Sequence, residues 1–120
     1  KSQMYLQNLD STVISFAVYN KQDLPFFKED QLTFETTLAY YRWEMEYQRD
    51  EKGSIVKIIE KNENENNIIW SSATSDNTNR NIFLNGCSGD LVYVILVYDN
   101  VMSEVEQVKL LKDLFLLNSL

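Results

Sequence analysis

At 120 residues, 44% hydrophobic and 24% charged, the chain has the size and composition of one globular domain spanning residues 1–120. One cysteine cannot form an internal disulfide, three glycines and one proline exclude collagen-like and low-complexity chains, and the absence of histidine removes the commonest general base and a usual zinc ligand. Eleven basic residues against 18 acidic ones, a net charge of −7 with no two basic residues adjacent, argue against nucleic-acid binding and against attraction to an anionic membrane surface.

The longest apolar run, Leu91 to Tyr98, is far short of the roughly 20 residues a membrane-spanning helix requires, so no integral membrane segment is expected. No secretory signal is visible. One cysteine and no Asn-x-Ser/Thr acceptor point to a reducing, cytoplasmic setting.

In chain order, residues 1–12 read as a lead-in segment, polar with scattered Met4, Leu6 and Leu9. Val13 to Tyr19 is β-branched and aromatic-rich and ends at the turn signal Asn20-Lys-Gln-Asp23, which predicts a strand. Leu24-Pro-Phe-Phe27 resumes an extended chain, so the expectation is an opening β-hairpin. From Asp30 to Gly53 two readings compete. As a helix, Asp30 is the N-cap and Gly53 lies just past the end. Phe34, Leu38, Tyr41 and Met45 then share one face, with Leu32, Ala39, Tyr40, Trp43 and Tyr47 roughly opposite. As a strand, Tyr41, Trp43, Met45 and Tyr47 alternate strictly with polar residues. The caps favour the helix.

Ser54 to Ile59 and Ile68 to Ala73 are predicted strands, separated by a solvated connector at 60–67 without the order or glycine of a calcium loop. Asn81 to Leu84 and Leu91 to Tyr98 are predicted to pair, with Asn85-Gly-Cys-Ser-Gly-Asp90 as their turn. Leu91 to Tyr98 is apolar on both faces and must be covered on both, as a central strand would be. Ser103 and Glu106 form a capping box that opens a helix to about Leu117. Its main stripe is Val105, Val108, Leu111 and Phe115, with Leu110, Leu114 and Leu117 on the other side. A helix apolar nearly all round is deeply buried or bound to a partner.

No residue set supports catalysis. Cys87 falls in a predicted turn with no basic neighbour and no histidine to activate it. The Glu44/Glu46 and Glu104/Glu106 pairs belong to solvated surfaces, since residues two apart on a helix do not converge. The glycines near 86 and 89 lack the spacing and lysine of a phosphate loop. The expectation is therefore a non-enzymatic chain with no metal and no cofactor. The candidate site is instead an interface: Leu32, Tyr40, Trp43 and Tyr47 would form an apolar, amphipathic patch on the helix's second face. The competing reading packs Trp43 in the core.

The whole is an α+β fold: an antiparallel sheet of about five strands, an opening hairpin, one helix after it and one capped C-terminal helix. Two segments, Phe16-Ala-Val-Tyr-Asn-Lys-Gln-Asp-Leu-Pro-Phe-Phe27 and Asn81 through Asp99 with Ser103 to Phe115, carry a family resemblance. In the first, a turn precedes a proline-hydrophobic-aromatic segment; the second runs strand, strand, polar break, amphipathic helix. The sequence resembles the longin-type fold of vesicle-trafficking proteins, in particular the sedlin-like small subunits of the TRAPP tethering complex. That resemblance implies an adaptor or scaffold subunit, homo- or hetero-oligomeric, whose partners are sibling subunits or a small GTPase regulator. It also implies a cytoplasmic location peripheral to Golgi or endoplasmic reticulum membranes. The alternative is an extracellular all-β immunoglobulin-like or PKD-like sandwich with Tyr41-Arg-Trp43 on a strand; the capping box at Ser103 opposes it.

Overall fold

The computed structural model describes residues 2–7, 12–76, 79–98 and 101–119. Its elements are β1 (Ser2–Gln7), β2 (Val13–Asn20), α1 (Thr33–Glu46), β3 (Ile55–Asn62), β4 (Asn67–Ala73), β5 (Arg80–Ser88), β6 (Leu91–Tyr98) and α2 (Glu104–Asn118). The six strands form one antiparallel sheet in the order β1-β2-β6-β5-β4-β3. The fold is α+β, which overturns the all-β sandwich.

The apolar run of β6 explains the layering. Side chains alternate between the two faces of a strand. Tyr93, Ile95 and Val97 join Ile69, Ile82 and Leu84 beneath Val108, Leu111 and Phe115 of α2. Val92 and its neighbour Val94 point the other way, packing with Leu24, Tyr40 and Cys87. Farther along that second face, Tyr41 of α1 sits on Ile68, Trp70 and Phe83. One helix covers each face, and β6 with β5 lies in the middle of the sheet. The ambiguous segment is helical from Thr33 to Glu46, and the Phe34/Leu38/Tyr41/Met45 face is the one turned to the sheet.

Several sequence expectations change. The lead-in at 1–12 contains β1, paired from Ser2↔Val18 to Gln7↔Val13; residues 1 and 8–11 lie outside the described part. The opening hairpin is therefore β1–β2 and the sheet has six strands, not about five. Leu24 to Phe27 could not pair back on β2, because β1 and β6 occupy both of its edges. A 3-10 turn at Lys21–Asp23 instead sends the chain under α1, where Leu24 and Phe26 join the cluster around Tyr40. Asp30 does not cap α1: the residue before the helix is Leu32, which offers no side-chain acceptor. Gly53, at φ +67, follows the helical segment in the left-handed region open to glycine.

The polar connector at 60–67 is shorter than its composition suggests, since β3 runs to Asn62 and β4 begins at Asn67. Between them Asn66 takes φ +57, a conformation asparagine tolerates, and its carbonyl accepts from the Cys87 N–H (3.0 Å) and the Thr37 hydroxyl (3.3 Å). The Asn85–Asp90 turn is likewise short, because β5 continues to Ser88. Cys87 is thus a buried strand residue, not a turn residue. Gly86 is in the strand because the Phe115 ring lies over it: a β-carbon there would stand 2.6 Å from that ring.

The capping box forms as expected, with the Ser103 hydroxyl accepting from the Glu106 N–H and the Glu106 carboxylate accepting from the Ser103 N–H, each at 3.2 Å. Val105 departs from its predicted stripe and faces outward, 78% exposed. Among the described residues no helix is long and apolar enough to cross a membrane.

Candidate partner-binding face

Helical spacing puts Leu32, Tyr40, Trp43 and Tyr47 along the side of α1 turned away from Tyr41. Three of them are exposed: Leu32 at 70%, Trp43 at 48% and Tyr47 at 49%. The fourth is not. Tyr40 is buried, a correction to its predicted outward position, because Leu24 and Phe26 come up beside α1 and close over that flank. Tyr40 becomes the floor on which Trp43 rests, with ring centroids 5.5 Å apart and Phe26 5.9 Å from both. The tryptophan is therefore held in place by edge contacts while much of its indole meets solvent.

Beyond Glu46 the helix widens into a π-helical turn, Tyr47–Glu51. The turn is anchored on the sheet, with Gln48 accepting from the Ser72 hydroxyl at 3.2 Å and its carbonyl accepting from the Ser54 N–H at 2.9 Å. It projects Tyr47 outward and brings the Lys52 ammonium 5.6 Å from the centre of the Tyr47 ring.

Tyr19, Tyr40, Trp43, Glu44 and Tyr47 line a cavity of about 320 Å³ at this place. Tyr19 comes from β2, its ring 6.2 Å from that of Tyr40. Glu44 is half-buried, and among the described residues it makes no hydrogen bond or ion pair. Burial pushes its carboxyl above the ordinary carboxylate range, with Lys52 partly opposing the rise. Burial, reinforced by the Glu44 charge and by Tyr19, pushes the Tyr40 phenol up as well. A carboxyl with a raised folded pKa stabilises the fold in acid, and that contribution is lost as pH rises through the folded pKa. Glu44→Gln is therefore expected to raise the thermal midpoint at pH 7, with the gain disappearing as pH falls through the ordinary carboxylate range. Thermal melts of both proteins across that range measure it; a lower midpoint for the variant at pH 7 would contradict it.

A second depression, about 500 Å³, lies between α2 and β3, lined by residues including Ile59, Val105, Val108 and Leu116. Its charged rim is already paired: Lys112 bonds Glu60 at 2.8 Å and Lys109 bonds Asp113 at 2.9 Å. It is larger, but apart from apolar area it presents no unmet chemistry. Cys87 is buried, its S–H donates to the Gly89 carbonyl at 3.8 Å, and burial outweighs the Lys21 charge in raising its thiol pKa, the opposite of what activates a thiol. Among the described residues no group of three or more His, Cys, Asp or Glu side chains could hold a metal ion.

Of the four residues read from the sequence, Trp43 and Tyr47 belong to this cavity wall and Tyr40 to its floor, while Leu32 lies apart at the start of α1. Sequence reasoning missed Tyr19 and Glu44. Tyr19 stands last but one in β2, and only the pairing of β2 with β6 brings it beneath α1; Glu44 is set between Trp43 and Tyr47 on the helix, the one signal that could have found it. Compared with protein-family models, curated proteins and solved structures, the chain matches none.

Proposed function

We propose that this chain is a non-enzymatic protein–protein interaction module, an adaptor or scaffold subunit of a longin-type vesicle-tethering assembly. In this reading it works in the cytoplasm, beside Golgi or endoplasmic reticulum membranes through its partners. The partner, a sibling subunit or a small GTPase regulator, docks on the outer face of α1. The observation that carries the interface is a tryptophan propped by Phe26 and Tyr40 yet half exposed, beside an equally exposed Tyr47. Interface centres favour rigid, amphipathic aromatic anchors of this kind, which lose little side-chain freedom on binding. Support for the longin assignment comes from the second segment of the resemblance, where β5, β6 and the capped α2 follow one another on an antiparallel sheet; the first segment, from Phe16 to Phe27, does not form the hairpin it resembled.

The test contrasts two neighbours on α1. Trp43→Ala is expected to weaken association with sibling subunits or with a second copy by about 30-fold, as truncation of an anchor does, while costing about 1 kcal/mol of stability through its ring contacts. Met45→Ala, on the sheet-facing side, is expected to cost about 2 kcal/mol of stability and leave the affinity of the folded protein unchanged. Sedimentation equilibrium and urea titration read the two quantities. Equal affinities for wild type and Trp43→Ala would remove α1 as the interface.

A further inference from the structure

We propose that the cavity formed by Tyr19, Tyr40, Trp43, Glu44 and Tyr47 is a cage for a single organic cation, the ammonium of a lysine side chain presented by a protein partner. This inference rests on the partner-binding reading of the α1 face and names the chemistry recognised there.

Four observations converge on it. Four of the five lining side chains are aromatic, and aromatic faces carry the negative end of a quadrupole that attracts cations. The remaining wall is Glu44, a half-buried carboxylate that makes no hydrogen bond or salt bridge among the described residues and feels only the longer-range charge of Lys52. Burying an acid without a partner is unfavourable, and an incoming ammonium would relieve it. The volume, about 320 Å³, is at the small end of ligand cavities and suits the end of one long side chain. Lastly, the chain's own Lys52 rests 5.6 Å from the Tyr47 ring centre, so an ammonium already favours this rim. Lys52 is exposed and does not line the cavity; it competes for the same field. The net charge of −7 steers a basic partner segment towards the surface as a whole.

An ammonium entering between Trp43 and Tyr47 would lie over ring faces with its N–H groups directed at Glu44. A neutral side chain of the same length would gain the apolar contact but lose both charge terms. Glutamate is needed for the charge, the aromatic pair for the walls, and Lys52 for neither.

The probe is N-acetyl-lysine N-methylamide, compared with its uncharged norleucine counterpart. Each is titrated into the intact protein while the indole N–H resonances are followed by NMR. Trp70 is fully buried and serves as the internal reference for Trp43. The lysine probe is expected to shift the Trp43 resonance saturably, in the millimolar range, without moving Trp70. The norleucine probe and the Glu44→Gln variant should each bind at least 10-fold more weakly, and Lys52→Ala should bind the lysine probe a few-fold more tightly. Because Glu44→Gln is expected to gain stability at neutral pH, loss of binding in it is not loss of fold. Equal shifts by the two probes, or an unchanged affinity in Glu44→Gln, would overturn the cage. If the cage fails while Trp43→Ala still weakens subunit association, the partner face stands without it. If the probe binds as expected while Trp43→Ala leaves association intact, it is the adaptor reading that fails.

Discussion

Phe115→Ala is expected to lower the unfolding free energy by about 3–5 kcal/mol, read as a shift of the urea midpoint at unchanged slope. Phe115 is 3% exposed and joins α2 to the sheet. Its ring meets Tyr93 edge-on at 5.5 Å and covers the backbone at Gly86. The same ring makes Gly86→Ala costly, by about 1–3 kcal/mol, since the new β-carbon would lie 2.6 Å from the aromatic edge. The two substitutions should not add. Once Phe115 is alanine, the methyl at position 86 has room, and the double mutant should be no less stable than Phe115→Ala alone. Additive losses would mean that Gly86 is needed for its backbone and not for the ring.

Trp70→Ala is the second large effect, again about 3–5 kcal/mol. On the opposite face of the sheet the fully buried indole is stacked on Phe83 at 4.4 Å and meets Tyr41 edge-on at 5.5 Å. Its N–H donates to the Asn85 side-chain carbonyl at 2.7 Å, deep in the interior. Asn85 is itself fully buried, and its side-chain N–H group has no partner among the described residues. Removing the indole leaves that carbonyl unpaired too, so the loss combines a cavity with a desolvated polar group. Trp70→Phe separates the two, keeping most of the stack and breaking the bond, and should cost about 1–3 kcal/mol. Equal stabilities for Trp70→Phe and wild type would show that the hydrogen bond contributes nothing.

What could be read from the residues alone follows from how local each signal is. The two-sided apolar run of β6 announced a covered central strand, and Ser103 with Glu106 announced a helix start, because each pattern contains its own physical reason. The α1 segment was ambiguous by propensity, and its sheet-facing side was nonetheless identified by helical spacing. The errors came where a distant contact decided. Asn85-Gly86 reads as a turn until an aromatic ring from 29 residues further on explains why the glycine is in a strand. β1 is short, and its place depends on a free edge of β2 that composition does not reveal. Tyr40 has the spacing of an exposed residue, and only Leu24 and Phe26, led there by the turn after β2, enclose it. The candidate site was half legible for the same reason: Trp43 and Tyr47 are neighbours along one helix, whereas Tyr19 reaches them from another element.

The strand order also constrains the route by which the chain acquires its fold. β3, β4, β5 and β6 follow one another in sequence and in space, so each can add to the last by closing a short loop. β2 has no such neighbour on its inner side. Its register with β6, from Val13↔Tyr98 to Asn20↔Leu91, encloses roughly seventy residues even at its nearer end, an entropic closure that costs more than any hairpin in the sheet. Contact order favours the four-strand meander over the β2–β6 pairing as the folding nucleus, and β2 carries Tyr19 with it. Tyr19, which β2 brings to the proposed cage, is therefore placed by the pairing with the longest loop to close in the sheet.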